Sequence, residues 1–161
     1  MARTSHPAQA GQLAQNESWS RRDTVLLALT ATNLVLLAAQ FALAGFGAFT
    51  MDKTPTDNAY GAHLVLGVVI GVMTWLILAA VLASRPARTQ PHSLRLAVTL
   101  AVLAIPVEPL LGEAGQHMPL LGALHALNGL VICALTGWLA GQTYHRRTAA
   151  RRLTATSGGH R

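Results

Sequence analysis

Charge is scarce in this sequence. Only 11% of its 161 residues are Asp, Glu, Lys or Arg, against roughly a quarter in a soluble domain. Apolar residues make up 52%, and the few charges are clustered, so long stretches hold none. That pattern excludes an ordinary soluble globule and points to an integral membrane protein. Acidic residues are the scarcest, six against 12 Lys and Arg, for a formal charge of +6. In a soluble chain such a surplus would suggest nucleic acid as a partner. Here Arg21, Arg22, Arg85, Arg88, Arg95, Arg146, Arg147, Arg151 and Arg152 flank apolar segments instead. Aromatics are also few, at 5%, and no basic face with interleaved rings is visible, so no nucleic-acid partner is expected.

Cysteine is nearly absent. Cys133 is the only one and lies inside an apolar run, which excludes an internal disulfide, a CxxC metal site and a CxxCH haem attachment. It reads as a small packing residue. A cleavable signal peptide is not expected either. The first 23 residues are polar, and the first apolar run exceeds the about 7–15 residues of a signal core.

What the chain does have is apolar length. Four segments, about 24–49, 61–84, 94–112 and 119–143, reach the roughly 20 residues that cross a hydrocarbon core. The expected fold is all-α, an integral membrane four-helix bundle over 24–144. Pro106, Glu108 and Pro109 interrupt the third span. Neighbouring helices re-satisfy backbone groups freed by proline, so a kinked span is expected. Residues 1–23, rich in Ala, Gln and Ser, read as a disordered tail, and 145–161 as a basic tail. Within it "HRRTAARR" suits attraction to anionic lipid. Segments 1–23, 85–93 and 144–161 carry nearly all the arginines, whereas "TMDKTPTDNAY" and "EAGQHM" carry one lysine between them. The positive-inside rule then places both termini in the cytoplasm, in a multi-pass inner-membrane protein.

A repeat carries the functional reading. "HLVLGVVIGVMT" (63–74) set above "HALNGLVICALT" (125–136) matches His, Gly, Val, Ile and Thr at an offset of 62. With about 3.6 residues per turn, offsets 0, 4, 7 and 11 share one helix stripe. His63, Gly67, Ile70 and Thr74 therefore share a face, as do His125, Gly129, Ile132 and Thr136. The first and third spans do not align convincingly at that offset. Both histidine helices run from outside to inside, so a pseudo-two-fold along the membrane normal would make the imidazoles face each other. Each has a glycine one turn below it, opening a notch. Two facing imidazoles above such notches suit haem b, ligated by His63 and His125 against Gly67 and Gly129. Lys53 and Tyr60 are available to its propionates near the outer interface. The bland alternative is that each histidine is interhelical glue beside a packing glycine.

Glu108 is the other ionisable group inside a span, at about the depth of the histidines. It reads as a second-shell partner of an imidazole or a proton relay, or as an acid reaching water at an early helix end. Asn128, one turn from His125, suits a hydrogen bond to a neighbouring helix. Asn33 and Gln40 share a face of the first span and should point into the bundle. His117, in an outer loop, is an alternative ligand. His6, His92, His145 and His160 are assigned nothing.

"QFALAGFGAF" (40–49), "YGAHLVLG" (60–67) and "LHALNG" (124–129) resemble the histidine-bearing segments of the heme A synthase family. Those proteins are built from two four-helix halves, each with a histidine near the outer start of its second and fourth helices. The likeness covers about residues 24–144, one such half, and the layout is also similar to that of small four-span bacterial membrane proteins. It implies haem ligation by His63 and His125. In that family a glutamate typically stands one turn before the second-helix histidine, where this chain has Tyr60, so the resemblance does not carry the synthase reaction. One half-bundle offers one haem site unless the protein forms a homodimer.

Three readings follow. The first is a haem b protein serving electron transfer or haem handling, with the bilayer and a redox partner or membrane complex as its surroundings. The second is a cofactor-free structural or accessory membrane subunit. The third is a small transporter or proton-pathway component using His63, Glu108 and His125.

Overall fold

The computed structural model describes residues 7–50, 60–84 and 90–158. Helices α1 (Pro7–Thr50), α2 (Gly61–Ala83), α3 (Pro91–Val102), α4 (Glu108–Gly115) and α5 (Pro119–Gly158) follow in order, with a π-helical turn at Leu103–Val107 between α3 and α4. No strand occurs among the described residues. Four stretches are long and apolar enough to cross a membrane: Arg21–Ala48, Gly61–Ala83, Pro91–Gly115 and Pro119–Ala149. The 23 residues of α2 span about 35 Å at 1.5 Å each, enough for a hydrocarbon core of about 30 Å.

Two expectations need correction. Residues 7–23, read as a disordered tail, and 145–158, within the basic tail, are helical and continuous with α1 and α5. Alanine, glutamine, leucine and arginine dominate these flanks. They are good helix formers, and each flank extends an existing helix, which removes the cost of nucleation. The third span also starts earlier than its hydropathy suggests, because Pro91 occupies the first turn of α3, where its fixed φ suits a helix start.

The interruption in that span takes the form of the π turn. Pro106 has no N–H, and its ring would crowd the carbonyl four residues back. Widening the turn relieves this, and Glu108 N–H reaches Leu103 O five residues earlier. One extra residue is thereby absorbed without ending the rod.

The helices close in a ring. α1 packs on α2 and on α5, and the third span packs on the other flanks of both. α2 and α5 therefore stand at opposite corners. Each rod buries one stripe at spacings of four, three and four residues. These are Leu26, Thr30, Asn33 and Leu37 on α1, and Ile70, Thr74, Ile77 and Val81 on α2. The third span buries Ser93, Ala97, Leu100 and Ala104, and α5 buries Ile132, Thr136, Leu139 and Thr143. This a/d-type spacing is that of helices packed side by side at shallow angles.

Polarity is inverted relative to a soluble bundle. Leu64 is 71% and Leu120 71% exposed, while Thr30, Asn33, Thr74, Thr136 and Thr143 are fully buried. The buried threonine hydroxyls donate to the carbonyl four residues back: Leu26, Ile70, Ile132 and Leu139 respectively. At the end holding both termini, Arg146 donates to Gln90 Oε1 and Ser93 Oγ, and Arg22 to Ala83 O. These contacts tie the arginine-rich end together.

Candidate functional site

The end remote from the termini carries the polar groups. Gln40 lies about three turns before the end of α1, His63 one turn into α2, Glu108 at the start of α4, and His125 about two turns into α5. Because α2 and α5 run in the same direction from diagonal corners, their inward faces converge. The two imidazoles meet edge to face, ring centres 6.2 Å apart. Tyr60 adds an edge contact to His63, with centres 6.1 Å apart.

Each imidazole is anchored by the rod that precedes it in sequence. His63 Nδ1 lies 3.2 Å from Gln40 O, and His125 Nδ1 lies 3.1 Å from Glu108 O. A carbonyl only accepts, so both Nδ1 atoms carry a proton and donate it. Gln40 supports this assignment. Its amide nitrogen sits 2.9 Å from His63 O and 3.2 Å from His63 Nε2, so the NH2 end donates to both. The Glu108 carboxyl group lies beside the second ring, with Oε1 3.4 Å from His125 Nδ1.

Asn128 connects the remaining groups. It is buried and donates to Glu108 Oε2 and to Leu103 O, the latter at 3.2 Å. Leu103 O is the carbonyl taken up by the π turn. The side chain thus stitches α5 to the irregular part of the third span and holds the carboxylate in place.

The notches beside the histidines are filled by these same side chains. A Cβ on Gly67 would lie 3.3 Å from Gln40 Nε2. One on Gly129 would lie 3.4 Å from both Glu108 Oε1 and the tip of the Phe41 ring. Gly71, by contrast, faces open space. Two glycines outside the histidine repeat prove closer to the site. Gly112 lets His125 rest on the α4 backbone, since a Cβ there would meet Cε1 at 3.2 Å and Nδ1 at 3.3 Å. Gly115 and Gly122 let the α4–α5 hairpin close. Their signal was present as a small-residue pattern spread over two helices, and nothing in the sequence pairs those helices.

A second correspondence now appears. The His63–Gln40 and His125–Glu108 pairs are equivalent, and Gln40 and Glu108 are 68 residues apart. The buried stripes of α1 and the third span match at 67, as Leu26 to Ser93 and Asn33 to Leu100. The single-residue difference is the one that the π turn absorbs. The positional correspondence therefore extends to both hairpins, with offsets of 62, 67 and 68 in different segments.

Of the residues singled out from the sequence, His63, His125, Gly67, Gly129, Glu108 and Asn128 gather here with Gln40. Asn33 is buried deeper in the bundle. His117 is exposed in the short connection before α5, and Lys53 lies outside the described residues. Among the described residues, no three His, Cys, Asp or Glu side chains form a cluster able to hold a metal ion. The imidazoles that converge here are those of His63 and His125.

No family model, no curated protein and no solved structure matches the chain.

Proposed function

We propose that this is a multi-pass protein of the cytoplasmic membrane, both termini in the cytoplasm, that holds one b-type haem between His63 and His125 and serves electron transfer or haem handling. The observation that carries the reading is the pair of Nδ1-anchored imidazoles with centres 6.2 Å apart. A haem held between these helices would take one imidazole nitrogen from each of them. A backbone acceptor on the far nitrogen is what fixes the tautomer of a metal-ligating histidine.

Two imidazoles alone are too few for a structural zinc site, which needs four protein ligands. They suffice for a macrocycle that brings four nitrogens of its own. Haem would supply one-electron chemistry. The chain's part is to present both Nε2 lone pairs, to hold both Nδ1 protons on Gln40 O and Glu108 O, and to wall the centre with Phe41. Gln40 is the side chain that must release His63 Nε2 for ligation. The inverted polarity of the bundle supports the membrane setting, because an apolar surface of this extent aggregates in water. The arginines gathered at the end that holds the termini support the orientation.

A cofactor-free structural role is the second reading, favoured by the contact of Gln40 with His63 Nε2 and by the filled Gly67 and Gly129 notches. Absorption spectroscopy of protein purified after expression with ample haem separates the two. The haem reading expects a Soret band and sharp α and β bands on reduction, lost in His63→Ala and in His125→Ala. A colourless parent protein sinks it. Colour that survives both substitutions removes these two residues as ligands.

A further inference from the structure

At the arginine-rich end, remote from the histidines, the outer faces of α3 and α5 leave a groove of about 150 Å³ lined by His92, Arg95, Leu96, Thr99, Leu135 and Trp138. Its α3 wall uses residues at spacings of three, one and three, one continuous stripe. From His92 to Thr99 that stripe descends about 10 Å at 1.5 Å per residue. His92 and Arg95 lie toward the bundle end, and Leu96, Thr99 and Leu135 lie toward its middle. The groove is thus cationic at one end and mostly apolar at the other, with no carboxylate in its lining.

Arg95 is the anomaly. It stands within the apolar stretch Pro91–Gly115, two residues inward of Ser93, which bonds Gln142 and Arg146. Arg22 and Arg146 at the same end have protein acceptors, whereas Arg95 makes no hydrogen bond or ion pair to any described residue. An arginine at the edge of a hydrocarbon core is costly without an anion. Its stem can snorkel toward the surface, and the anion present at that depth is a lipid phosphate. Trp138 is 61% exposed and lies on the opposite wall, where an indole suits the boundary between acyl chains and headgroups.

We propose that this groove is a binding site for one anionic phospholipid, its phosphate on Arg95 and His92 and an acyl chain along Leu96, Thr99, Leu135 and Trp138. The site rests on the membrane reading of the bundle and is independent of haem. It predicts a preference for phosphatidylglycerol over phosphatidylcholine of about fivefold, the effect of one basic side chain at an anionic surface.

Trp138 is the reporter. In a Trp19→Phe, Trp75→Phe background it is the sole tryptophan. The full chain is reconstituted into phosphatidylcholine vesicles containing a small fraction of brominated phosphatidylglycerol or brominated phosphatidylcholine, and fluorescence quenching is compared. Stronger quenching by the anionic lipid is expected, with the preference lost in Arg95→Gln and kept in Arg21→Gln, which removes the same charge at the same end. Equal quenching by the two lipids overturns the site. So does an equal loss in both arginine variants, which would mean diffuse surface charge. Reversal by millimolar inorganic phosphate would make it an anion site rather than a lipid site, and overturns it too. Protein that fails to float with the vesicles refutes the membrane reading itself. Protein that floats without lipid preference refutes only the groove.

Discussion

Gly115 and Gly122 face each other across the α4–α5 hairpin, yet they should respond differently to the same added methyl. A Cβ built on Gly115 meets Gly122 Cα at 2.8 Å and Gly122 N at 2.9 Å. Both obstacles are backbone, so no rotamer change relieves the contact and the helices must move apart. A Cβ on Gly122 meets Gly115 O at 3.6 Å and Gly115 Cα at 3.8 Å, which is ordinary packing distance. Overpacking of this kind costs about 1–3 kcal/mol. Replacing glycine by alanine in a helix returns up to about 1 kcal/mol, a gain common to both variants. The difference between them, about 1–3 kcal/mol, is therefore the quantity to measure. Gly115→Ala should unfold earlier than the parent in mixed dodecylmaltoside and dodecylsulfate micelles, and Gly122→Ala at or slightly above it. The site should register the change as well, because the hairpin sets the spacing between Glu108 O and His125 Nδ1. Identical unfolding midpoints for the two variants would refute the close approach and the hairpin geometry derived from it.

Two further substitutions probe the buried polar groups. Asn33 is fully buried, and neither end of its amide has a hydrogen-bond partner among the described residues, so Asn33→Leu should raise the unfolding midpoint by the equivalent of about 1–3 kcal/mol. A lowered midpoint would mean that the amide is satisfied. Asn128→Leu should act in the opposite direction by a similar amount, since it strips Glu108 Oε2 of its donor and Leu103 O of one of its two. An unchanged midpoint would show that this stitch between α5 and the third span contributes nothing.

Much of the site was legible because it is written along single helices. His63, Gly67, Ile70 and Thr74 share a stripe by spacing alone, and the same stripe recurs 62 residues later. Hydropathy located four spans, and the structure moves the bounds of the third by only a few residues. The second pair of equivalent positions was not legible. Gln40 and Glu108 are chemically unlike, and the π turn shifts the register of the third span by one residue within its own length. An alignment at any single offset fails under those conditions. Gly112 was equally hidden, since its value depends on a ring carried by another helix.

The sequence by itself determined the helices, their apolar length, and the two histidine stripes, because those follow from composition and a period of 3.6 residues. Only the tertiary structure decided how the stripes are used. It set α2 and α5 at opposite corners, brought the imidazoles to 6.2 Å, and anchored both Nδ1 atoms on carbonyls from α1 and α4. It also filled the glycine notches with Gln40, Glu108 and Phe41. The physical reason is that a periodic pattern specifies which face of a helix is inward. The atoms that meet there depend on distances between different helices, and those are set by packing.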